Sequence, residues 1–338
     1  MYFNVSGGPF GLEGLVGAVG PGVAVLLLLA TPLLYSVPEA LLVGELASML
    51  PVEGGYYRWV RRAFNRFWGY WNGWLSWVYS LIDMAIYPVL FLQYLRFFAP
   101  GLGRFDAWLL ALALIWGATW LNLRGTRVVG TASGWFVAAV LALMDWTAWT
   151  DGAWPVLAAA VIGPWLGVWI ALAGMVSAFA LFNALLLVYS RIPLVLAQDG
   201  LLPAALARVD GRGTPRNAVL VSALAYSVFA LLPFGGLLAG DVLLYTAALA
   251  LEFAALLRLR RREPHLRGAF RVPLGVPGLA ALAALPLLLL VAAVGLEIRS
   301  REIALPGVIV AVLLAAVGPV AYAALGGGRR KVGEGVAA

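Results

Sequence analysis

Apolar residues fill this chain in runs of helical length, cut by short polar connections. About twenty apolar residues in a helix, rising 1.5 Å each, cross the hydrocarbon core of a bilayer. On that scale the pattern predicts a short apolar segment at about 9–20. Full spans follow at roughly 22–50, 66–98, 105–123, 128–145, 156–190, 217–234, 240–258, 276–297 and 303–325. These nine spans and one fragment predict an all-α polytopic membrane protein. The 66–98 run would be about 50 Å long, so it must tilt or reach past the bilayer. The 156–190 run should open with a short helix that ends before Gly163-Pro164.

Composition agrees with the pattern. Hydrophobic residues make up 63% of the 338, charged residues only 12%, and mean hydropathy is +0.94. Soluble domains carry about 25% charge. The net charge of +7 is explained by topology. When the connections are numbered alternately, 19 of the 23 basic residues fall in one set. Only Arg96, Arg104, Arg299 and Arg301 fall in the other. Basic residues accumulate on the cytoplasmic side. The 51–65 connection and the C-terminus are therefore expected in the cytoplasm, with the tryptophan-rich 144–154 outside. A charge excess placed this way calls for no nucleic-acid partner.

Several chemistries are excluded. The chain has no cysteine, and its one histidine, His265, lies in the basic connection "RRREPHLRG". That removes thiolate and zinc sites. No nucleophile–base set or phosphate-binding loop occurs, so neither an enzyme nor a cofactor is expected.

The informative residues are carboxylates in apolar surroundings: Glu13, Glu39, Glu45, Asp83 and, nearer a helix end, Glu252. A charge at bilayer depth costs about 2.5–3.5 kcal/mol, so such residues pair, protonate or face a cavity. Asp83 sits mid-span in "SLIDMAIYPV" with no base at helical spacing. It is expected to carry a proton or meet a cation. Tyr87, one turn on and beside Pro88, is placed to cap an ammonium group. Glu39 follows Pro38, where a kink exposes backbone. Glu45, near the cytoplasmic end, is expected to pair with Arg58 or Arg61. Trp68, Trp71, Trp74 and Trp77 recur every third residue, as aromatic belts and helix packing require.

Near the start, Gly7, Gly8, Pro9 and Gly11 interrupt an otherwise apolar stretch, and Glu13 follows. Irregular backbone at membrane depth is tolerated where it lines a cavity, and broken helices form substrate sites in secondary transporters. A carboxylate just inside the restarted helix suits an amine-bearing substrate or a proton.

The segments "SGGPFGLE" (6–13), "PEALLVGELASMLPVEGGYYRWVRRAF" (38–64), "FWGYWNGW" (67–74) and "MAIYPVLFLQYL" (84–95) resemble the amino acid–polyamine–organocation permeases. So do "SRIPLVLAQDGLLP" (190–203), "GTPRNAVLVSAL" (213–224) and "REPHLRGAFRVP" (262–273). The similarity is greatest to the branch holding plant-type polyamine-uptake permeases. It implies two inverted five-helix repeats followed by two more helices. The first repeat would occupy 1–145, the remnant of the second 146–260, and the last two helices and basic tail 261–338. It implies a secondary active transporter of amino acids or polyamines, proton-coupled and in the cell membrane. Substrate would be held by Gly7, Gly8, Pro9, Gly11, Glu13, Asp83 and Tyr87. Asp83, Glu13 and Glu39 would be the proton-carrying candidates.

Two departures weigh against a complete permease. Only Met1 to Ser6 precede the glycines, where the family has half a helix. The outward 144–154 connection resembles the one before the family's eighth helix, which leaves its sixth and seventh without counterparts. The alternative expectation is a truncated or non-transporting relative, or a regulatory membrane subunit. Nothing in the sequence sets the oligomeric state.

Overall fold

The computed structural model describes residues 13–52, 54–124, 153–211, 213–266, 268–300 and 305–325. Among them the regular structure is entirely helical, as expected. Helix α1 is Glu13–Val19, and α2 is Pro21–Thr31. A widened π turn, Pro32–Ser36, joins α2 to α3, Val37–Met49. Next come α4 (Gly55–Ala63), α5 (Arg66–Leu95), α6 (Arg104–Arg124), α7 (Trp154–Val161) and α8 (Pro164–Tyr189). The chain continues through α9 (Arg191–Gln198), α10 (Arg216–Phe229), α11 (Phe234–Arg262), α12 (Val276–Ser300) and α13 (Leu305–Ala324).

Among the described residues, five stretches are long and apolar enough to cross a membrane: Pro21–Met49, Arg66–Leu95, Pro164–Gln198, Phe234–Arg262 and Gly307–Ala324. Arg216–Phe229 and Val276–Leu289 are shorter apolar helices. The protein is an integral membrane protein. The expected span at 128–145 lies outside the described residues. The break before Pro164 is present, at Gly163, whose φ of 134° is open to glycine and strained for other residues.

One sequence expectation is corrected. The glycines in "FGGLLAG" (234–240) read as a connection between spans at 217–234 and 240–258. Instead α10 ends at Phe229, and α11 already runs through Gly235, Gly236 and Gly240. These glycines serve packing. A methyl added to Gly240 would lie 3.1 Å from the Gly307 carbonyl oxygen, and one on Gly307 would overlap Gly236. Small residues four apart let membrane helices approach this closely.

The helices fall into two compact units. One comprises 1–29, 84–188 and 222–234; the other comprises 30–83, 189–221 and 235–338. In the first, Gly167 and Gly174 press against Pro155 and the Tyr94 ring. The Trp108 indole donates to the Ser227 carbonyl at 3.0 Å, and the Trp116 indole to the Ser227 hydroxyl at 3.2 Å. In the second, Leu42, Leu46, Trp59, Val60, Phe253 and Leu256 share a core.

The tryptophan run on α5 proves to be a packing seam within the second unit. Pro319 has no N–H, so the Ala315 carbonyl loses its usual partner four residues on. The Trp71 indole donates to that oxygen at 3.3 Å, and the Trp74 indole donates to Leu314 at 2.9 Å.

Candidate membrane-embedded carboxylate site

In the second unit, α5 and α11 run antiparallel. The Asn72 amide donates to the Ala248 carbonyl at 2.9 Å. The Tyr79 and Tyr245 rings meet edge to face at 5.0 Å. A methyl on Gly240 would lie 3.4 Å from Ile82. As the number rises on one helix it falls on the other, and the next polar pair in register is Asp83 with Asp241. These two carboxylates are near enough to feel each other's charge.

Asn72, Tyr79 and Asp83 lie seven and eleven residues along α5. Asp241, Tyr245 and Glu252 lie four and eleven residues along α11. Both spacings place the three side chains on one helical face. The two faces oppose each other, and α3 adds a third. Its Glu39 accepts a hydrogen bond from the Tyr245 hydroxyl. Tyr35, in the π turn, exchanges one with Thr246 at 3.1 Å. Glu252 is buried, reaches Asn72, and feels Glu39.

The result is a column of acids and phenols. Asp241 and Glu252 are eleven residues apart on α11, about 16 Å of rise. Tyr79, at the middle, senses Asp83, Asp241, Glu252 and Tyr56. Tyr56 belongs to α4 outside the spans, and burial, with the Glu252 charge as a smaller cause, pushes its phenol up to about 12. No lysine or arginine occurs between Arg66 and Arg96, between Arg216 and Arg258, or before Arg58. The column therefore receives no basic residue from the spans that build it.

The residues singled out from the sequence divide as follows. Asp83 and Glu39 both belong to this column. Tyr87 is buried on α5, one turn beyond Asp83. Glu13 begins α1. Gly7, Gly8, Pro9 and Gly11 lie outside the described residues. Asp241 was missed, because the glycines before it read as a loop that would put it at a span end. The signal available was the spacing Gly236–Gly240, four apart in an apolar run.

Glu45 does not pair with Arg58 or Arg61. It forms a closed pair with Arg260, with contacts of 2.6 and 2.5 Å and side-chain exposures of 1% and 3%. The Val272 N–H also donates to Glu45 at 2.9 Å, and Arg260 donates to the carbonyls of Val272 and Leu274. The reason is that Gly54, a left-handed residue with φ 81°, caps the start of α4 and turns Arg58 and Arg61 toward Asp199, at 3.2 and 3.5 Å. Arg62 meets Glu263 at 2.7 Å. These ion pairs tie together three connections of the arginine-rich set, so those connections share one side of the second unit.

A family model described as amino acid permease matches residues 1–145 and 136–316. The chain is 29% identical over 383 aligned positions to the polyamine transporter PUT1 of Oryza sativa subsp. japonica, covering 88% of this chain and 72% of that one. It is 29% identical to the polyamine transporter RMV1 of Arabidopsis thaliana, covering 82% and 75%. A shorter match, 33% identical over 128 residues and covering 35% of this chain and 27% of the relative, is to an uncharacterized transporter of Legionella pneumophila. The 383-position alignment with PUT1 covers only 88% of the chain's 338 residues, so it opens about 86 positions of gap here.

Proposed function

This chain belongs to the amino acid permease family, and we propose that it is a secondary active transporter of polyamines or amino acids, coupled to protons. The observation that carries this is the column of Glu39, Asp83, Asp241 and Glu252, built from spans that hold no basic residue. Buried negative charge without a resident base suits a cationic substrate, a proton, or both in turn. Relatives named as polyamine transporters favour the amine.

In this reading Gly7, Gly8, Pro9 and Gly11 form the unwound part of a broken first helix. Glu13, Asp83 and Tyr87 face the substrate from that helix and from α5. Glu39 takes part in proton movement. Alternating access moves the repeats around this site, with 1–145 as the first repeat and 146–260 as what remains of the second. Segment 261–338 follows as a basic connection, two helices and a tail. The arginine-rich side faces the cytoplasm, and the protein resides in the cell membrane.

The test is uptake of radiolabelled putrescine and of amino acids into proteoliposomes under an imposed pH gradient. Putrescine uptake that follows the gradient, and is abolished by Asp83→Asn at unchanged protein content, is the expected result. Unchanged uptake in that variant removes Asp83 from the mechanism.

A second reading is favoured by one observation. The family match falls into two pieces that overlap at 136–145, beside the place where two helices have no counterpart. The chain as it stands would then be a non-transporting relative or a regulatory membrane subunit. Sequencing the transcript across Leu143 to Asp151 separates the two. Additional apolar sequence there, roughly 20 residues per helix, marks an incomplete reading of an ordinary permease. A transcript matching this chain, together with no uptake of any amine, supports the second reading.

A further inference from the structure

Asp241 has a fully buried Oδ1 with no hydrogen-bond partner. A buried polar atom left without a partner is costly, and a carboxylate oxygen more so. The antiparallel register brings Asp241 level with Asp83, at the height where Gly240 abuts Ile82 and Gly307. The glycine contacts let the helices sit close together here. Among the described residues, the titratable groups around the pair come from four elements: Tyr79 on α5, Tyr245 and Glu252 on α11, Glu39 on α3, and Tyr35 in the π turn. None of them is a base. From Leu305 to Ala321, α13 brings no titratable group at all.

Two buried carboxylates close enough to feel each other's charge do not both ionise in such a place. We infer that Asp83 and Asp241 hold one proton between them and together form the proton-binding site of the transporter. This rests on the proton-coupled reading above and adds Asp241, the shared proton and the place of the site. One carboxyl O–H donates to the other carboxylate, and the pair carries a single negative charge. Release of the proton leaves two charges, an unfavourable state that favours either reprotonation or the arrival of a cation. The next acid toward the arginine-rich side is Glu39, held by Tyr245.

The test compares infrared spectra of the purified full chain in lipid at neutral pH for wild type, Asp83→Asn and Asp241→Asn. The wild-type-minus-variant difference should show a protonated-carboxyl C=O band lost in both variants, because the Asn amide takes the place of the protonated partner and the carboxylate left behind keeps the single charge of the pair. A band lost in Asp241→Asn and kept in Asp83→Asn overturns the sharing. A band kept in Asp241→Asn overturns the site. In proteoliposomes, Asp241→Asn should lose the component of putrescine uptake driven by the pH gradient, and full retention of that component also overturns the inference. Asp241→Glu controls for folding and should keep the band. If wild type carries no amine, the transporter reading fails on its own, and the infrared comparison still decides whether the pair holds a proton.

Discussion

Gly307 lies so close to Gly236 that a methyl group built on it would overlap the Gly236 carbonyl oxygen. Nothing flexible stands in between, because the obstructing atoms are backbone. Gly307→Ala must push α13 away from α11, and overpacking of this kind costs about 1–3 kcal/mol. The expected outcome is a lower thermal unfolding temperature in detergent. Gly101→Ala, at a glycine with open space around it, should leave that temperature unchanged.

The Glu45–Arg260 pair is buried, and each partner is satisfied by the other and by the 272–274 backbone. Removing one partner strands the other as a buried charge, at about 3–5 kcal/mol. Arg260→Leu alone should sharply reduce the folded protein recovered from membranes. Arg260→Leu with Glu45→Leu should recover much of it, because two apolar groups leave no uncompensated charge. Equal losses in the single and double variants would contradict this.

Arg62 and Glu263 behave differently, because they are exposed: their side chains are 47% and 25% accessible. The hydrogen bond from Arg62 holds the Glu263 carboxyl below its ordinary range. A carboxyl lowered by folding stabilises the folded form above its unfolded pKa, and that gain is lost as pH falls through the folded value. Glu263→Gln should therefore lower stability by under about 1 kcal/mol at neutral pH. The difference should shrink toward zero on acidification below the usual glutamate range, near pH 4. Thermal unfolding at several pH values checks this.

Because the chain has no cysteine, a single introduced one is the only thiol in the molecule. Ala204 is exposed between α9 and α10, on the arginine-rich set of connections. Gly101 is exposed between α5 and α6, on the other set. In intact cells a membrane-impermeant thiol reagent should label Gly101→Cys and spare Ala204→Cys until the cells are opened. The reverse pattern would invert the proposed orientation.

Much of this was legible from periodicity and charge. The spans over Arg66–Leu95 and Leu305–Ala324 stand close to where their apolar runs put them. Asp83 and Glu39 were identifiable as acids in apolar surroundings. Three features escaped for physical reasons. Glycine has one letter for two uses, breaking a helix or letting helices touch, and only the partner at Gly307 distinguishes them at Gly236 and Gly240. Glu45 found Arg260 because pairing across 215 residues is set by packing, not by the nearest arginine in sequence. Helix α4 is short and rich in arginine, so its burial of Tyr57 and Trp59 left too brief an apolar pattern to read.

The π turn at Pro32–Ser36 has a further consequence. A turn of this kind holds one residue more than regular winding would, so it acts as a phase shifter between two helices that otherwise form one rod. On one side, α2 exposes nearly its whole circumference, with Ala24 its only buried residue. On the other, α3 buries five residues. Deleting a single residue from 32–36 would shorten the rod by only about 1.5 Å yet rotate one half against the other by about 100°. Either Glu39 would swing away from Tyr245, or α2 would turn a new face to the lipid. The azimuth at which Glu39 joins the acid column thus depends on the count of residues in this one turn.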